Sequence, residues 1–168
     1  MENIEEGSVI QLKEKIIQIS RVARVVKGGK RLRFRVLAVV GDERGNVGVA
    51  LGKASETATA IRKAIERARK SMIRINIVGT TIPHPFIGEE GSARVLLKPA
   101  VKGTGVIAGG AVRAVLEACG IKDIITKSLG SSNQVNVSYA TFNALKSMKN
   151  IDQVAKYLGK HPKEMLEG

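Results

Sequence analysis

The chain has 168 residues, enough for one medium domain or two small ones, and its 43% hydrophobic content is sufficient to fill real cores. A single cysteine, two histidines and 3% aromatic residues exclude an intramolecular disulfide, argue against a zinc or other metal site, and leave little for stacking bases on aromatic platforms. The formal net charge is +13, no apolar run approaches the length of a membrane span, and the acidic N-terminus has no signal-peptide pattern, so the expected setting is cytoplasmic, with no membrane partner.

Seventeen of the 28 Lys and Arg residues fall between Leu12 and Thr80, where only five acidic residues oppose them. Solvated faces usually mix signs. A field of one sign concentrates polyanions and makes their binding salt-dependent through counterion release, so a nucleic-acid backbone is the expected partner of this half. Residues 1–10, with Glu2, Glu5 and Glu6, are expected to form a flexible acidic segment ahead of it.

In chain order, Ile16 to Val26 is rich in β-branched residues, and Arg31 to Val40 alternates Leu32, Phe34 and Val36 against Arg31, Arg33 and Arg35. Period two predicts strands, the second with an arginine face. Between them Lys27-Gly28-Gly29-Lys30 predicts a tight turn with a cationic tip. The 41–46 segment is a second turn signal, leading to a third strand over Val47–Leu51 that Gly52 and Lys53 close. Ser55 is the expected cap of a helix whose buried stripe is Ile61, Ala64, Ile65, Ala68 and Met72, with Arg62, Lys63, Arg67, Arg69, Lys70 and Arg74 opposite. The expected order is β-β-β-α over residues 11–75, the layout of a double-stranded-RNA-binding-like domain without its first helix.

Residues 76–81 read as a connector, and 82–168 as a second, α+β two-layer domain. Pro83 and Pro85 keep their segment out of a central strand. A strand over 94–99 is expected to pair with residues near Ile82–Ile87 through a turn at Gly88-Glu89-Glu90-Gly91. The glycine-rich stretch Gly103, Gly105, Gly109 and Gly110 then runs into a helix from Ala111. Such a loop can cradle phosphate on free amides, but Ala108 and Ala111 stand where nucleotide-binding fingerprints need Gly and Lys, so close packing against RNA or a partner protein is favoured. A further strand over Ile121–Leu129 precedes a helix buried through Val137, Ala140, Ala144, Leu145 and Met148. Asn150 is expected to cap a last helix with Val154, Ala155 and Leu158 inward. Cys119 reads as a buried thiol, and Glu89, Glu90, Glu117 and Asp123 as turn and surface acids. No catalytic constellation stands out, so neither an enzyme nor a cofactor or small-molecule substrate is expected.

The run from Val26 to Arg31, with Phe34, Val39 to Asp42, Gly45, Val47 and Gly48, resembles the signature of the small ribosomal subunit protein five family. The segments Pro99–Ala100, Gly103–Glu117 and Ser128–Asn136 resemble that family's second domain, and the likeness covers nearly the whole chain in order. One departure is Thr57 and Thr59, where family members often carry an apolar residue and a Pro. The resemblance implies a C-terminal domain with a left-handed β-α-β crossover, and a place at the head-body junction of the 30S subunit. It implies contacts with 16S rRNA and with proteins S-four and S-eight, and a share, beside S-three, in the channel by which mRNA enters. By the same resemblance Arg21, Arg24, Lys27, Gly28, Gly29, Lys30, Arg31, Arg33 and Lys53 would meet rRNA. Gly105 and Arg113 would lie at the S-four side, where a loosened contact lowers decoding accuracy.

Two other classes compete with this reading. A free double-stranded-RNA-binding regulator would need only the first half, and a phosphotransfer enzyme would need an acid or Lys over the glycine loop.

Overall fold

Alternating apolar and basic residues build two long strands, β1 (Lys13–Val26) and β2 (Gly29–Gly41), followed by β3 (Asn46–Ala54), α1 (Thr57–Lys70) and a two-residue β4 (Ile73–Arg74). The computed structural model describes residues 11–159; the expected flexible segment 1–10 lies outside the described residues. These strands form one antiparallel sheet in the order β1-β2-β3-β4. The expected β-β-β-α order is present. The third strand runs beyond its expected end to Ala54, and Arg74 belongs to β4, not to the polar face of α1.

The two faces of β2 serve different neighbours. Phe34, Val36, Ala38 and Val40 pack toward α1, whereas Leu37 and Val39 join Val47 and Val49 in a core shared with the second half. The fully buried stripe of α1 is Ala60, Ala64 and Ala68; Ile61 and Ile65 flank it only partly buried. The physical reason lies in β3. A Cβ at Gly48 would stand 2.0 Å from the Ala68 carbonyl oxygen and one at Gly52 2.3 Å from that of Ala60, so the helix lies too close for any side chain larger than methyl. The N-cap is Glu56, not Ser55, and no side chain caps the helix.

The second half contains β5 (Phe86–Glu90), β6 (Ala93–Pro99), β7 (Val106–Ile107), α2 (Gly110–Cys119), β8 (Ile124–Gly130), α3 (Gln134–Ser147) and α4 (Ile151–Leu158). Its sheet order is β5-β6-β8-β7, with β7 parallel to β8 and α2 crossing between them. The β5–β6 turn falls at Gly91-Ser92 and not at Gly88–Gly91. Gly88 is a strand residue because α3 presses on it: a Cβ there would meet the Ala140 oxygen at 2.1 Å. The last strand starts at Ile124, since residues 121–123 turn back to meet the Thr80 carbonyl through the Lys122 and Asp123 amides. Val137, Ala140, Ala144, Leu145 and Met148 are buried, and Asn133 and Asn150 cap α3 and α4 by accepting from the Val135 and Asp152 amides. Leu158 does not point inward as expected; it is 58% exposed.

A tight hub joins the halves. The turn after β2 donates Glu43 N to the Ala118 oxygen at 3.1 Å and Gly45 N to the Cys119 oxygen at 2.9 Å. Gly41 lies against Ala118 with room for no side chain, and Gly120, left-handed at φ 93°, ends α2 against the Glu43 backbone. Asp42 folds this turn by accepting from the Arg44 and Asn46 amides and from Asn46 Nδ2. Burial opposes its charge, but these bonds outweigh it and hold its carboxyl below the usual range. Cys119 is fully buried, as expected, and burial with the nearby Asp42 charge pushes its thiol up to about 12. Residues 76–81, between the buried Ile75 and Ile82, make a turn closed by hydrogen bonds between Val78 and Thr81.

Candidate nucleic-acid interface

The β1–β2 hairpin outruns the body that supports it. None of residues 20–35 is buried, and Val25 at 75% and Leu32 at 44% exposure have no core to enter. A two-residue turn at Lys27-Gly28 closes it. Gly28 at φ 90° holds a conformation that a side chain would strain, and nothing lies within 4 Å of where a Cβ would stand there or at Gly29, so backbone is bare at the tip.

Cross-strand register sorts the cations by face, because directly opposed residues point the same way. Arg24 opposes Arg31, Val22 opposes Arg33, and Lys53 on β3 opposes Arg35. Arg24, Arg31, Arg33 and Lys53 accordingly line one open cleft together with Val22, Ala23 and Val26. Like charges set opposite one another cost stability unless an anion screens them, so this face is complementary to phosphate. Arg21 and Lys30 oppose Phe34 and Val25 on the other face, and Lys27 stands at the turn. The nine expected residues thus divide into a cleft, a back face and a tip. Arg35 belongs to the cleft face and was missed, although the period-two alternation already placed it there. None of the cations within residues 20–35, nor Lys53, has an ion-pair partner among the described residues.

The glycine loop of the second half is organised differently from expectation. Gly103 N and Gly105 N both donate to Asp123 Oδ1 at 2.9 Å, so the amides that could have cradled phosphate are already occupied. Asp123 is no surface acid. It is 4% exposed, and the Thr80 hydroxyl, the two glycine amides and the nearby Lys102 charge hold its carboxyl below the usual range. Nothing in the spacing signalled this, since the loop and its anchor are 18 to 20 residues apart. Among the described residues, nothing beyond the chain neighbours comes within 4 Å of a would-be Cβ at Gly103, Gly105, Gly109 or Gly110, so no packing within the chain requires glycine at these positions.

Arg113, in α2, is brought to this loop: its Nη2 donates to the Val106 oxygen at 3.0 Å, one residue past Gly105, and its Nε pairs with Glu117 Oε1 at 3.3 Å. Glu117 Oε2 also holds Lys15 of β1 at 3.0 Å, so an exposed ionic chain runs from the first half to the loop. Among the described residues no three His, Cys, Asp or Glu side chains gather as metal ligands, and no helix is long and apolar enough to cross a membrane.

A basic hairpin and an Asp-anchored glycine loop, in this order, match two models of one family. Residues 12–76 match that of ribosomal protein S5, N-terminal domain, and residues 88–157 match that of ribosomal protein S5, C-terminal domain. The chain belongs to the ribosomal protein S5 family. As an S5 protein it is an rRNA-binding component of the small ribosomal subunit, in a family whose role is structural.

Proposed function

We propose that this S5 protein grips 16S rRNA at the head-body junction of the 30S subunit with its β1–β2 arm, and meets protein S-four with the surface around Gly105 and Arg113. The observation that carries the reading is the cleft of Arg24, Arg31, Arg33 and Lys53, four cations without an ion-pair partner among the described residues, beside a bare glycine tip. Arg21, Lys27, Lys30, Gly28 and Gly29 extend the contact to the back face and the tip. On this reading domains 11–75 and 82–168, joined by 76–81, divide the work. The first binds RNA. The second binds protein, S-eight as well as S-four, and takes part beside S-three in the channel by which mRNA enters. The location is the cytoplasmic ribosome.

The S-four contact ties the chain to decoding accuracy. Arg113 pins the loop at Val106, and Gly103, Gly105, Gly109 and Gly110 leave open space in which a neighbour can approach the backbone. An interface that biases two states of the subunit changes their ratio roughly tenfold for about 1.4 kcal/mol. The test is sedimentation of the tagged protein from extract through sucrose at low and at roughly 0.5 M salt, where exposed phosphate contacts are heavily screened. Co-migration with the small subunit at both salts is expected; release to the top at high salt would favour a free RNA-binding regulator.

A further inference from the structure

The cleft face of the arm carries more than charge. Alternate residues on this face fall into three cross-strand rows toward the tip: Val22 with Arg33, Arg24 with Arg31, and Val26 with Gly29. Val22 and Val26 are half-buried, whereas Val25 on the opposite face is 75% exposed, so the arginine stems wall an aliphatic floor. The last row has one side chain instead of two, since nothing lies within 4 Å of a would-be Cβ at Gly29. The open cleft, of about 330 Å³, therefore ends in a notch floored by Val26 and bare backbone. Rows on one face are about 7 Å apart, which brings the notch within reach of both the Arg24 and Arg31 guanidinium groups.

We propose that this notch seats one unpaired nucleobase, so that the arm selects RNA duplexes interrupted by an extruded nucleotide, an inference that rests on the RNA reading of the arm and deepens it. A phosphate satisfies the cations but gains nothing from the valines, and an acidic peptide would do the same. A base uses both, because its flat face lies on apolar surface and stacks against guanidinium planes. Arginine thereby supplies the platform that aromatic rings provide elsewhere, in a chain with only 3% aromatic residues. A continuous A-form helix has no base to offer: its base faces are stacked, and its major groove is too deep and narrow to be read. At about 330 Å³ the whole cleft is at the small end of ligand sites, room for one base and its flanking phosphates but not for a stacked strand. Arg33 and Lys53, farther from the tip, remain for those phosphates.

The test measures binding of the full chain to three RNAs: a duplex of about 16 base pairs, the same duplex with one unpaired adenosine, and the same with an abasic residue in place of that adenosine. The adenosine bulge should bind about tenfold tighter than the paired duplex, and the abasic bulge should bind like the paired duplex. Val26→Asn, which leaves the charge unchanged, should bring the ratio of bulged to paired affinity close to one. Equal affinity for the paired and adenosine-bulged duplexes, equal affinity for the adenosine and abasic bulges, or an unaltered ratio in Val26→Asn would each overturn the base seat while leaving phosphate binding by the arm in place. Absence of salt-dependent binding to all three RNAs would instead remove the RNA reading, and the base seat with it. The abasic comparison needs no variant and carries the test if Val26→Asn does not fold.

Discussion

The β1–β2 arm and the hub at residues 41–46 are built on opposite terms. The arm buries none of residues 20–35 and leaves the cations among them without an ion pair to any described residue, while the hub packs Gly41 and Gly120 onto backbone carbonyls with no space for a methyl group. Replacing arm residues should therefore cost binding and spare the fold, and replacing hub residues should do the reverse. The largest expected effect is Gly41→Val, which drives a branched side chain into Ala118 and should cost about 3 kcal/mol or more in urea unfolding. A variant of near-parental stability would break the comparison at its rigid end.

Next is the triple change Arg24→Ala, Arg31→Ala, Arg33→Ala. It should reduce the slope of log affinity against log salt by about 2 to 3 units on duplex rRNA, with the urea midpoint nearly unmoved. The same number of substitutions on the back face and tip, Arg21, Lys27 and Lys30 to Ala, sharpens the contrast: a smaller slope change is expected if the cleft is the principal phosphate site.

Cys119 sharpens it from within the hub. Its ordinary pKa is 9.0 and burial raises it to about 12 when folded, so the folded state keeps a proton that the unfolded state has lost between those values. Its contribution is fully present below pH 9 and is lost as pH rises toward 12, by about 1.4 kcal/mol per unit. A pH series of unfolding free energies should show this component, and Cys119→Ala should lack it. The smallest effect is at Lys15→Ala. Its pair with Glu117 is exposed and worth under about 1 kcal/mol, so thermal unfolding should barely shift.

What was legible in the chain follows the same division. The arm is local: alternation from Arg31 and the Lys27–Lys30 turn fixed its strands, its face and most of its cations without knowledge of the rest. Asn150 was equally readable because a cap bonds an amide two residues away. The hub and the loop anchor depend on distant chain. Of the expected stripe of α1, Ala64 and Ala68 are fully buried, joined by Ala60, while Ile61 and Ile65 stay at its flank because glycines arrive from β3, and Gly88 looked like a turn until α3 pressed on it. Asp123 became a buried acceptor through a loop that its own neighbours do not announce.

One irregularity in β1 anchors the foot of the arm. Register shifts between Ile16 and Gln18, where the strand carries an extra residue, and Ile17 there packs against the shared core. Pairing of β2 with β3 ends at Phe34, and from Arg21 opposite it to Lys27 the two-stranded ribbon runs about 20 Å. Beyond that point the ribbon is a lever: a rotation of its base too small to disturb packed side chains is magnified along its length to the tip.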